Sequence, residues 1–364
     1  MRKTLDTTSG NFIASIIALG RRLRNNGAHV LFVFPEEKEW IQWFNEEQFD
    51  VEILNKTNVR VGMVDSRFDI LKKIVINYDI ELIHSHFGLF HHELVYRRSE
   101  FKRLKVIIHD HMDFGITSNI IIQRVKTALY SCLYQYYHIN LITVMEQKRN
   151  AYIFLKNKWF VPNGLSLERH IKNSMSREDC RREIGLKQNE KCVFLLGWDL
   201  KRKGLDIALK AVQKCREMDD TICFGMIGVG CAPSVDAKEF IVQETGIDPS
   251  ESWIHFFDSY EDMFAVHRAV DVYLSASRKE AFSYGLLESI SQNTPVVVSD
   301  IPGTKWAEIY DNSYFYPVED VEACAKAIMA ALNTGRKVTN SIDIVDKYGI
   351  ERWCDRIIQI YRSL

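Results

Sequence analysis

The chain has 364 residues, 46% of them apolar, and its net charge at neutral pH is only −1. This length exceeds one ordinary hydrophobic core and therefore predicts two domains. The apolar content excludes a disordered chain, and the balanced charge excludes a protein that coats nucleic acid.

The eight cysteines include no C-x-x-C pair, and several of them, such as Cys192 and Cys223, lie inside apolar runs. This usage predicts reduced, buried thiols in a cytosolic protein rather than disulfides or a zinc site. The chain starts with no charged and then apolar leader, and no apolar run approaches ~18 residues. We therefore expect a cytoplasmic protein without a secretion signal or a membrane-spanning helix.

Short apolar runs alternate with helical patterns along most of the chain. Residues 13–23 and 205–212 show apolar side chains at helical spacing. Eight apolar runs are predicted to be buried strands: 29–34, 80–84, 105–109, 141–144, 192–197, 221–228, 272–276 and 295–299. Strands that are apolar on both faces and alternate with helices predict parallel sheets in α/β layers. Residues 160–164, followed by the polar stretch 166–190, mark the seam between two such units.

Three consecutive cations, Lys201, Arg202 and Lys203, precede the helix predicted from Leu205. Positive charge is unfavourable there, because the helix dipole already makes the N-terminus positive. The pattern therefore predicts that an anion binds this turn, and phosphate is the usual one; a solvated surface turn explains the same residues. If an anion normally binds, removal of Lys203 relieves repulsion and does not lower the melting temperature of the ligand-free protein.

Two glutamates, Glu280 and Glu288, flank a stretch that runs from a predicted strand into a predicted helix. In an open α/β sheet, ligands bind at the carboxyl ends of the strands. Glu288 is then placed to accept hydrogen bonds from a ribose diol, and Glu280 to face the group beyond the phosphates. The alternative is a first-turn glutamate stabilised by the helix dipole, with Glu280 as an unrelated surface acid.

Residues 277–303 read SRKEAFSYGLLESISQNTPVVVSDIPG. This stretch resembles the signature of retaining GT-B glycosyltransferases of family 4 (glycosyl transferases group 1), in which two glutamates enclose seven residues and a glycine turn follows Pro-Val-Val. The turn at 202–204 resembles the diphosphate clamp of that family, and residues 161–164 resemble its interdomain motif. The resemblance extends from about residue 9 to the C-terminus.

The resemblance implies an α/β GT-B fold with two Rossmann-like domains facing a cleft. Residues 1–165 would form the acceptor-side domain and residues 166–350 the nucleotide-sugar domain. The last helix, within 351–364, would cross back and pack on the first domain. Residues 1–8 are polar where the family begins with an apolar strand, so either an irregular segment replaces that strand or the true start lies upstream.

The resemblance also implies roles for residues at matching positions. Glu288 would hold the ribose, Glu280 the donor sugar, and the amides of 282–285 would face the donor. Gly10 follows Ser9 in a reduced form of the glycine loop that closes over the phosphates, so we expect that loop to bind differently. The predicted catalytic residues are Glu280, His111, Arg202 and Lys203; the predicted donor-binding residues are Glu288, Phe282, Ser283, Tyr284, Gly285 and Gly10.

The implied activity is transfer of a sugar from a UDP-linked donor to an acceptor hydroxyl, with retention at the anomeric carbon, in cell-surface polysaccharide or glycolipid assembly. No residue is an obvious nucleophile for double displacement. The chemistry that the resemblance implies is front-face attack, with a donor phosphate oxygen accepting the acceptor's proton. Two alternatives stay open: a non-catalytic relative that serves as a binding subunit, and a nucleotide-sugar epimerase on the same fold.

Six histidines fall within residues 84–111 and include two H-x-H patterns, His84-Ser-His86 and His109-Asp-His111. Such patterns bind metal in some proteins. Both lie at strand ends, however, and no carboxylate or cysteine is spaced to complete a site. The chain also contains no Asp-x-Asp. We therefore expect no metal site and no cofactor, with the nucleotide sugar as a substrate.

Basic residues cluster at 97–105, and an apolar helical face follows. The cluster contains Arg97, Arg98, Lys102, Arg103 and Lys105, and the face contains Ile121, Val125, Ala128, Cys132 and Tyr136. Together they predict docking on an anionic membrane at its inner face, where a lipid-linked acceptor would lie; core packing beside a solvated charge run explains the same residues. The expected partners are a nucleotide-sugar donor, a sugar or lipid-linked glycan acceptor and this membrane surface, with no nucleic acid.

Overall fold

The structure is a computed structural model of the chain. It describes residues 11–54, 67–87, 90–101, 103–112, 120–166, 175–197, 199–228, 236–258, 260, 262–337 and 341–364. The chain forms two compact units. The N-terminal unit comprises Ile16–Asn163 and Trp353–Leu364, and the C-terminal unit comprises residues 11–15 and Gly164–Arg352.

The first described residues belong to the C-terminal unit, although the predicted boundary at residue 165 placed them in the first domain. Hydrogen bonds account for this difference. The Asn11 side chain accepts a hydrogen bond from the Ser166 amide at 3.0 Å. The Ser15 hydroxyl donates to the Gly164 carbonyl, also at 3.0 Å. The start of the first helix is therefore tied to the chain that follows residue 163.

The N-terminal unit contains two parallel sheets. One pairs β1 (Leu31–Phe34) with β2 (Asp50–Ile53). The other has the order β3 (Leu82–His86), β4 (Lys105–Asp110), β5 (Ile139–Thr143), β6 (Lys158–Phe160). Strands β4 and β5 lie in the middle of this sheet, and their apolar side chains, such as Val106 and Leu141, are fully buried.

The C-terminal unit contains one six-stranded parallel sheet. Its strands are β7 (Lys191–Leu196), β8 (Ile222–Ile227), β9 (Ile254–Phe256), β10 (Val272–Ser275), β11 (Val296–Ser299) and β12 (Ser313–Tyr316). Their spatial order is β12-β11-β10-β7-β8-β9. Counted from β7, this is the Rossmann order, and the direction of the strand sequence reverses between β7 and β10.

Helices connect the strands in both units. The helices up to residue 151 are Asn11–Asn25, Gln42–Glu46, Arg67–Asn77, His91–Tyr96, Ile120–Tyr136 and Glu146–Ala151. Those that follow are Arg177–Glu183, Leu205–Arg216, Ala237–Thr245, Met263–Ala269, Tyr284–Ser291, Val321–Thr334, Ser341–Tyr348 and Ile350–Ser363. Short 3-10 helices span Glu39–Ile41, Arg98–Phe101 and Lys305–Ile309. The last long helix begins in the C-terminal unit, and its residues from Trp353 belong to the N-terminal unit.

All eight predicted strands are present, and the prediction of parallel sheets is confirmed. Four strands were not predicted: β2, β6, β9 and β12. Each lies at the edge of its sheet, and most of its side chains are only partly buried. An edge strand needs no apolar run, because one side faces no neighbouring strand.

The described cysteines are free; six of them are buried, whereas Cys132 is exposed and departs from the prediction of buried thiols. Among the described helices, none combines the length and the apolar composition that a membrane crossing requires.

Candidate functional site

The predicted residues Arg202, Lys203 and Glu280 meet where the strand order of the C-terminal sheet reverses. Strand β7 ends at Leu196, and the turn after it carries the two cations. Strand β10 ends at Ser275, and the loop after it carries Glu280. Loops that follow two neighbouring parallel strands of opposite winding form a crevice at the carboxyl edge of the sheet, where ligands bind.

An ion pair joins the two loops. The Lys203 ammonium lies 2.7 Å from the Glu280 carboxylate, and their side chains are 15% and 12% exposed. Arg202 approaches the same oxygen at 3.5 Å, and the Ser277 hydroxyl donates to it at 3.3 Å. Burial opposes ionisation of Glu280, but the charges of Lys203 and Arg202 outweigh it and hold the pKa of that carboxyl below its ordinary value. Glu280 is therefore an ionised acceptor in a largely enclosed place.

The cations of the turn have acidic partners within the chain. Lys201 contacts Glu244 at 2.6 Å, and Arg202 contacts Asp199 at 2.9 Å. That an anion binds this turn stays a prediction, while all three cations contact carboxylates of the protein itself. Acids that are distant in sequence fold against the turn, and Lys203 has such a partner in Glu280.

Two glycines allow the loops to approach each other. Gly204 has a φ of +71°, and a Cβ atom there would lie 2.1 Å from the Ala276 carbonyl oxygen. A Cβ atom on Gly303 would lie 1.8 Å from the Glu280 carbonyl oxygen. Any larger residue at either position would push the backbone next to Glu280 away.

Arg278 is a part of the site that the sequence did not reveal. Its amide donates to the Arg202 carbonyl at 2.8 Å, and its guanidinium binds both carboxylate oxygens of Asp206 at 2.9 and 2.8 Å. Burial favours the neutral form of Asp206, but Arg278 outweighs it and holds the pKa of Asp206 below its ordinary value. Arg278 thus fastens the cationic turn to the Glu280 loop. The sequence feature that could have pointed to Arg278 is its position within residues 277–303, the stretch that resembles the family signature.

Glu288 lies on the helix Tyr284–Ser291 and is buried, with both carboxylate oxygens engaged. Oε2 lies 3.1 Å from Nε2 of His267, and the Asn11 side-chain amide donates to Oε1. The Ser289 hydroxyl lies 2.7 Å from Nδ1 of the same imidazole. Neither Asn11 nor His267 carried a sequence signal, because each is brought to Glu288 only by the fold.

The predicted donor-binding residues 282–285 form the start of that helix. Ser283 is its N-cap, and the Leu286 amide donates to the Ser283 hydroxyl at 3.3 Å. Tyr284 and Gly285 occupy the first two helical positions, whose amides have no acceptor within the helix. The Phe282 ring is buried and stacks on Trp306 with centroids 4.8 Å apart. Its side chain is therefore part of the core.

His111 belongs to the N-terminal unit, so the four predicted catalytic residues divide between the two units. Its Nε2 lies 3.0 Å from Nδ1 of His86, and its ring stacks on His109 at 4.2 Å. Burial and the neighbouring His86 lower the pKa of His111 well below its ordinary value, although a hydrogen bond with Asn163 acts in the opposite direction. Gly10 lies outside the described residues.

The two H-x-H patterns form one cluster. Strands β3 and β4 pair in a register that places His86 beside His109. Nitrogens of His84, His86 and His109 all lie within 4.8 Å of one another, close enough for a shared metal ion. The sequence argument considered only ligands spaced along the chain and missed this contact between strands.

The helix Ile120–Tyr136 exposes most of the predicted apolar face. Ile121, Val125 and Tyr136 are 73%, 55% and 76% exposed. Leu129 extends the face, and Cys132 is exposed as well. The core-packing interpretation of this face is therefore wrong, apart from Ala128, which is partly buried.

Two arginines of the nearby basic cluster are engaged within the protein. Arg97 pairs with Asp69 and Glu100, while Arg98 donates to the main-chain carbonyls of Phe101 and Leu104. Arg103 and Lys105 are exposed, and Lys102 lies outside the described residues. The charge that faces solvent is therefore smaller than the sequence suggested.

Residues 176–347 match the family model "Glycosyl transferases group 1". The matched range includes Arg202, Lys203, Glu280 and Glu288. Residues 176–347 are therefore similar to this family, and the curated relatives that match the chain are glycosyltransferases.

Two curated relatives illustrate the similarity. A D-inositol 3-phosphate glycosyltransferase of Corynebacterium glutamicum is 29% identical over 36% of this chain and 32% of its own length. The lipopolysaccharide glucosyltransferase WaaG of Escherichia coli is 26% identical over 39% of this chain and 37% of its own length. The matched part of the chain thus spans about a third of these relatives.

Among solved structures, HepE of Anabaena in complex with UDP-glucose superimposes with a TM-score of 0.77. The match covers 98% of this chain and 96% of HepE at 14% sequence identity. Likeness at this identity concerns the fold, and it confirms the predicted GT-B architecture with two Rossmann-like sheets.

Proposed function

We propose that this chain, whose residues 176–347 are similar to the glycosyl transferases group 1 family, moves a sugar from a nucleotide-sugar donor to an acceptor hydroxyl. The observation that carries the proposal is the Lys203–Glu280 pair at the strand-order reversal of the Rossmann-type sheet. A cation and an acid at one crevice match the two parts of such a donor, a diphosphate and a polyhydroxyl ring. A UDP-linked donor is part of the proposal, and HepE with UDP-glucose supports it.

The ion pair between Lys203 and Glu280 has a role in donor binding in this proposal. A diphosphate is a stronger attraction for Lys203 and Arg202 than one carboxylate, so both cations turn toward it. Glu280 then loses its cationic partner and accepts hydrogen bonds from the hydroxyl groups of the sugar. The amides of Tyr284 and Gly285, at a helix N-terminus, add donors that suit phosphate oxygens.

During transfer, negative charge grows on the departing diphosphate, and Lys203 and Arg202 stabilise it. The proposed chemistry is front-face attack with retention at the anomeric carbon, and a donor phosphate oxygen accepts the acceptor's proton. The two cations supply the positive charge, so transfer proceeds without a divalent metal. Full loss of turnover in EDTA by protein that stays folded, with recovery in Mg²⁺ or Mn²⁺, would contradict this part of the proposal.

The ribose of the donor is assigned to Glu288. Its two oxygens contact Asn11 and His267. In this proposal a ribose hydroxyl replaces the Asn11 amide, while His267 keeps the carboxylate in position. Asn11 therefore competes with the nucleotide in this proposal.

The proposed acceptor is a sugar or a lipid-linked glycan, in cell-surface polysaccharide or glycolipid assembly on the cytoplasmic side of a membrane. The exposed apolar face of the helix Ile120–Tyr136 supports contact with lipid. Exposed Arg103 and Lys105 belong to the same unit and would add attraction to anionic headgroups. Failure to sediment with phosphatidylglycerol vesicles at low salt would contradict this contact.

A panel of UDP-, GDP- and TDP-sugars tests the central proposal. We expect one donor to bind in calorimetry, to be hydrolysed slowly without an acceptor, and to yield a product with the anomeric configuration of the donor. An epimerase would instead convert the donor into another nucleotide sugar without releasing the nucleotide. A non-catalytic subunit would bind donors without hydrolysis or transfer, and either result would replace the proposal.

A further inference from the structure

The histidine cluster of the N-terminal unit has no role in the proposed reaction beyond His111. It lies on the adjacent strands β3 and β4, whose register places His86 beside His109. Nε2 of His84 lies 3.1 Å from Nδ1 of His109. Ring centroids are 4.2 Å apart for His84 and His86, and 5.0 Å apart for His86 and His109.

One nitrogen of this cluster is left without a partner. His109 is fully buried, and within the described part of the chain its Nε2 accepts or donates no hydrogen bond. Buried polar atoms are paired in the great majority of cases, and an exception calls for an explanation such as an ion. One ring nitrogen from each of His84, His86 and His109 lies within 4.8 Å of the other two, and on His109 the nitrogen 3.1 Å from His84 is Nδ1.

The donor set selects a class of ion. Neutral imidazole is a preferred ligand of zinc and of neighbouring transition metals, whereas magnesium and calcium prefer oxygen. The group consists of three imidazoles and contains no carboxylate, so its ligand atoms suit the first class of ion and not the second.

A supporting hydrogen bond is also present. The Tyr361 hydroxyl lies 2.5 Å from Nδ1 of His84. A partner on one ring nitrogen orients the other nitrogen toward a metal, as is usual for histidine ligands. Tyr361 lies on the last helix, so a metal at the cluster would fix that helix to strand β3 within the N-terminal unit.

We infer that His84, His86 and His109 form a binding site for a divalent transition metal ion of the zinc class. These histidines belong to the N-terminal unit, whereas the Arg202–Lys203 turn belongs to the C-terminal unit. The inference does not rest on the proposed sugar transfer. Its expected effect is stabilisation of the N-terminal unit, so chelation lowers the melting temperature whether or not turnover continues.

A second group of metal-binding residue types must be distinguished from it. Glu190, Cys223 and His255 of the C-terminal unit also place ligand atoms within 4.8 Å of one another. This group contains a thiol, whereas the histidine cluster contains only imidazoles. Thiolate ligation gives cobalt an intense charge-transfer absorption that nitrogen ligands do not give, which separates the two sites by spectroscopy.

The test uses the full chain after treatment with a chelator. Zinc is titrated in competition with a chromophoric chelator, and melting is followed with zinc or magnesium. We expect one zinc ion to bind with a Kd below about 10 μM, with a rise in melting temperature that magnesium does not produce. His86→Gln should weaken zinc binding at least about tenfold and Tyr361→Phe by about tenfold. His29→Asn, at an exposed histidine that pairs with Asp50, and Cys223→Ser should not change it.

The inference is overturned if the wild type binds no zinc, or if His86→Gln binds as tightly as wild type while Cys223→Ser loses binding. If His86→Gln fails to fold, the absorption spectrum of the wild-type protein with bound cobalt shows which of the two sites holds the metal. A spectrum without thiolate charge transfer supports the histidine site, and one with it assigns the metal to Cys223.

Discussion

The two units place opposite kinds of chemistry at the carboxyl ends of parallel strands. In the C-terminal unit, the loops after β7 and β10 bring full charges together, with Lys203 2.7 Å from Glu280. In the N-terminal unit, β3 and β4 bring neutral imidazoles together, with 3.1 Å between His84 and His109. The same topology therefore serves two purposes. Charges that can change partners suit a substrate that arrives and leaves, whereas buried neutral nitrogens suit a resident ion.

The largest expected effect concerns Lys203, one partner of the ion pair in the C-terminal unit. In Lys203→Ala, the departing diphosphate loses a cation, and kcat should fall by about 10²–10³. The sequence alone predicted no loss of stability, but the ion pair reverses this expectation. Removing one partner of a buried pair leaves Glu280 with weaker compensation, so the free energy of unfolding should fall by about 3 kcal/mol.

Lys201→Ala is the matched control, because Lys201 is a more exposed neighbour that pairs with Glu244 and Asp206 instead of Glu280. Steady-state kinetics and urea denaturation should leave this variant close to wild type. Equal decreases of kcat and of the free energy of unfolding in Lys203→Ala and Lys201→Ala would mean that the turn acts only through its overall charge.

The close approach of the two loops can be tested at Gly204. Gly204→Ala should lower the free energy of unfolding by about 3 kcal/mol, since it adds overpacking to an unfavourable φ. Gly246→Ala separates the two effects, because Gly246 has a φ of +74° but no atom within 4 Å of the added Cβ. The free energy of unfolding of Gly246→Ala, measured by urea denaturation, should fall by only about 1 kcal/mol. Similar losses at both glycines would show that the contact with Ala276 is unimportant.

Replacement of Glu288, a buried acid of the C-terminal unit, should have a smaller effect, on UDP binding. In Glu288→Gln, loss of charge-assisted hydrogen bonds should weaken UDP binding by about 1.5–3 kcal/mol. Glu308→Gln provides the control, because Glu308 is an exposed acid that pairs with Lys305. Isothermal titration calorimetry measures both, and unchanged UDP affinity in Glu288→Gln would remove the ribose role.

The smallest expected effect concerns Asn11. Asn11→Ala removes the amide that competes for Glu288, and UDP affinity should rise by about 1 kcal/mol. Asn26→Ala, just beyond the end of the same helix, removes an exposed side-chain amide that donates to the Arg22 carbonyl, and it should leave the affinity unchanged. A weaker affinity in Asn11→Ala would make Asn11 a part of the binding site instead of a competitor.

Sequence patterns were most informative where local signals and tertiary structure agree. The central strands carry apolar runs and were predicted, whereas the edge strands β2, β6, β9 and β12 lack such runs. The meeting of Arg202, Lys203 and Glu280 followed from motif order and from the rule for strand ends. The ion pair between Lys203 and Glu280 could not be predicted in this way, because pairs between residues distant in sequence leave no pattern in the spacing.

Contacts between strands were the main feature that the sequence did not predict. The H-x-H patterns were visible, but the register that joins His86 to His109 is a property of the folded sheet. The partners of Glu288 were invisible for a similar reason, because Asn11 and His267 reach it from other helices. The apolar face of the helix Ile120–Tyr136 was correctly located, and only the structure decides that it faces solvent.

The most direct test of the account is UDP binding to Glu280→Gln, measured by calorimetry beside turnover of the nucleotide sugar. If Glu280 holds Lys203 until the diphosphate arrives, the variant frees this cation, and UDP should bind about tenfold more tightly, which corresponds to about 1.4 kcal/mol. Turnover should fall, because the donor sugar loses its acceptor carboxylate. Weaker or unchanged UDP binding in Glu280→Gln would contradict the exchange of partners at the centre of the proposed function.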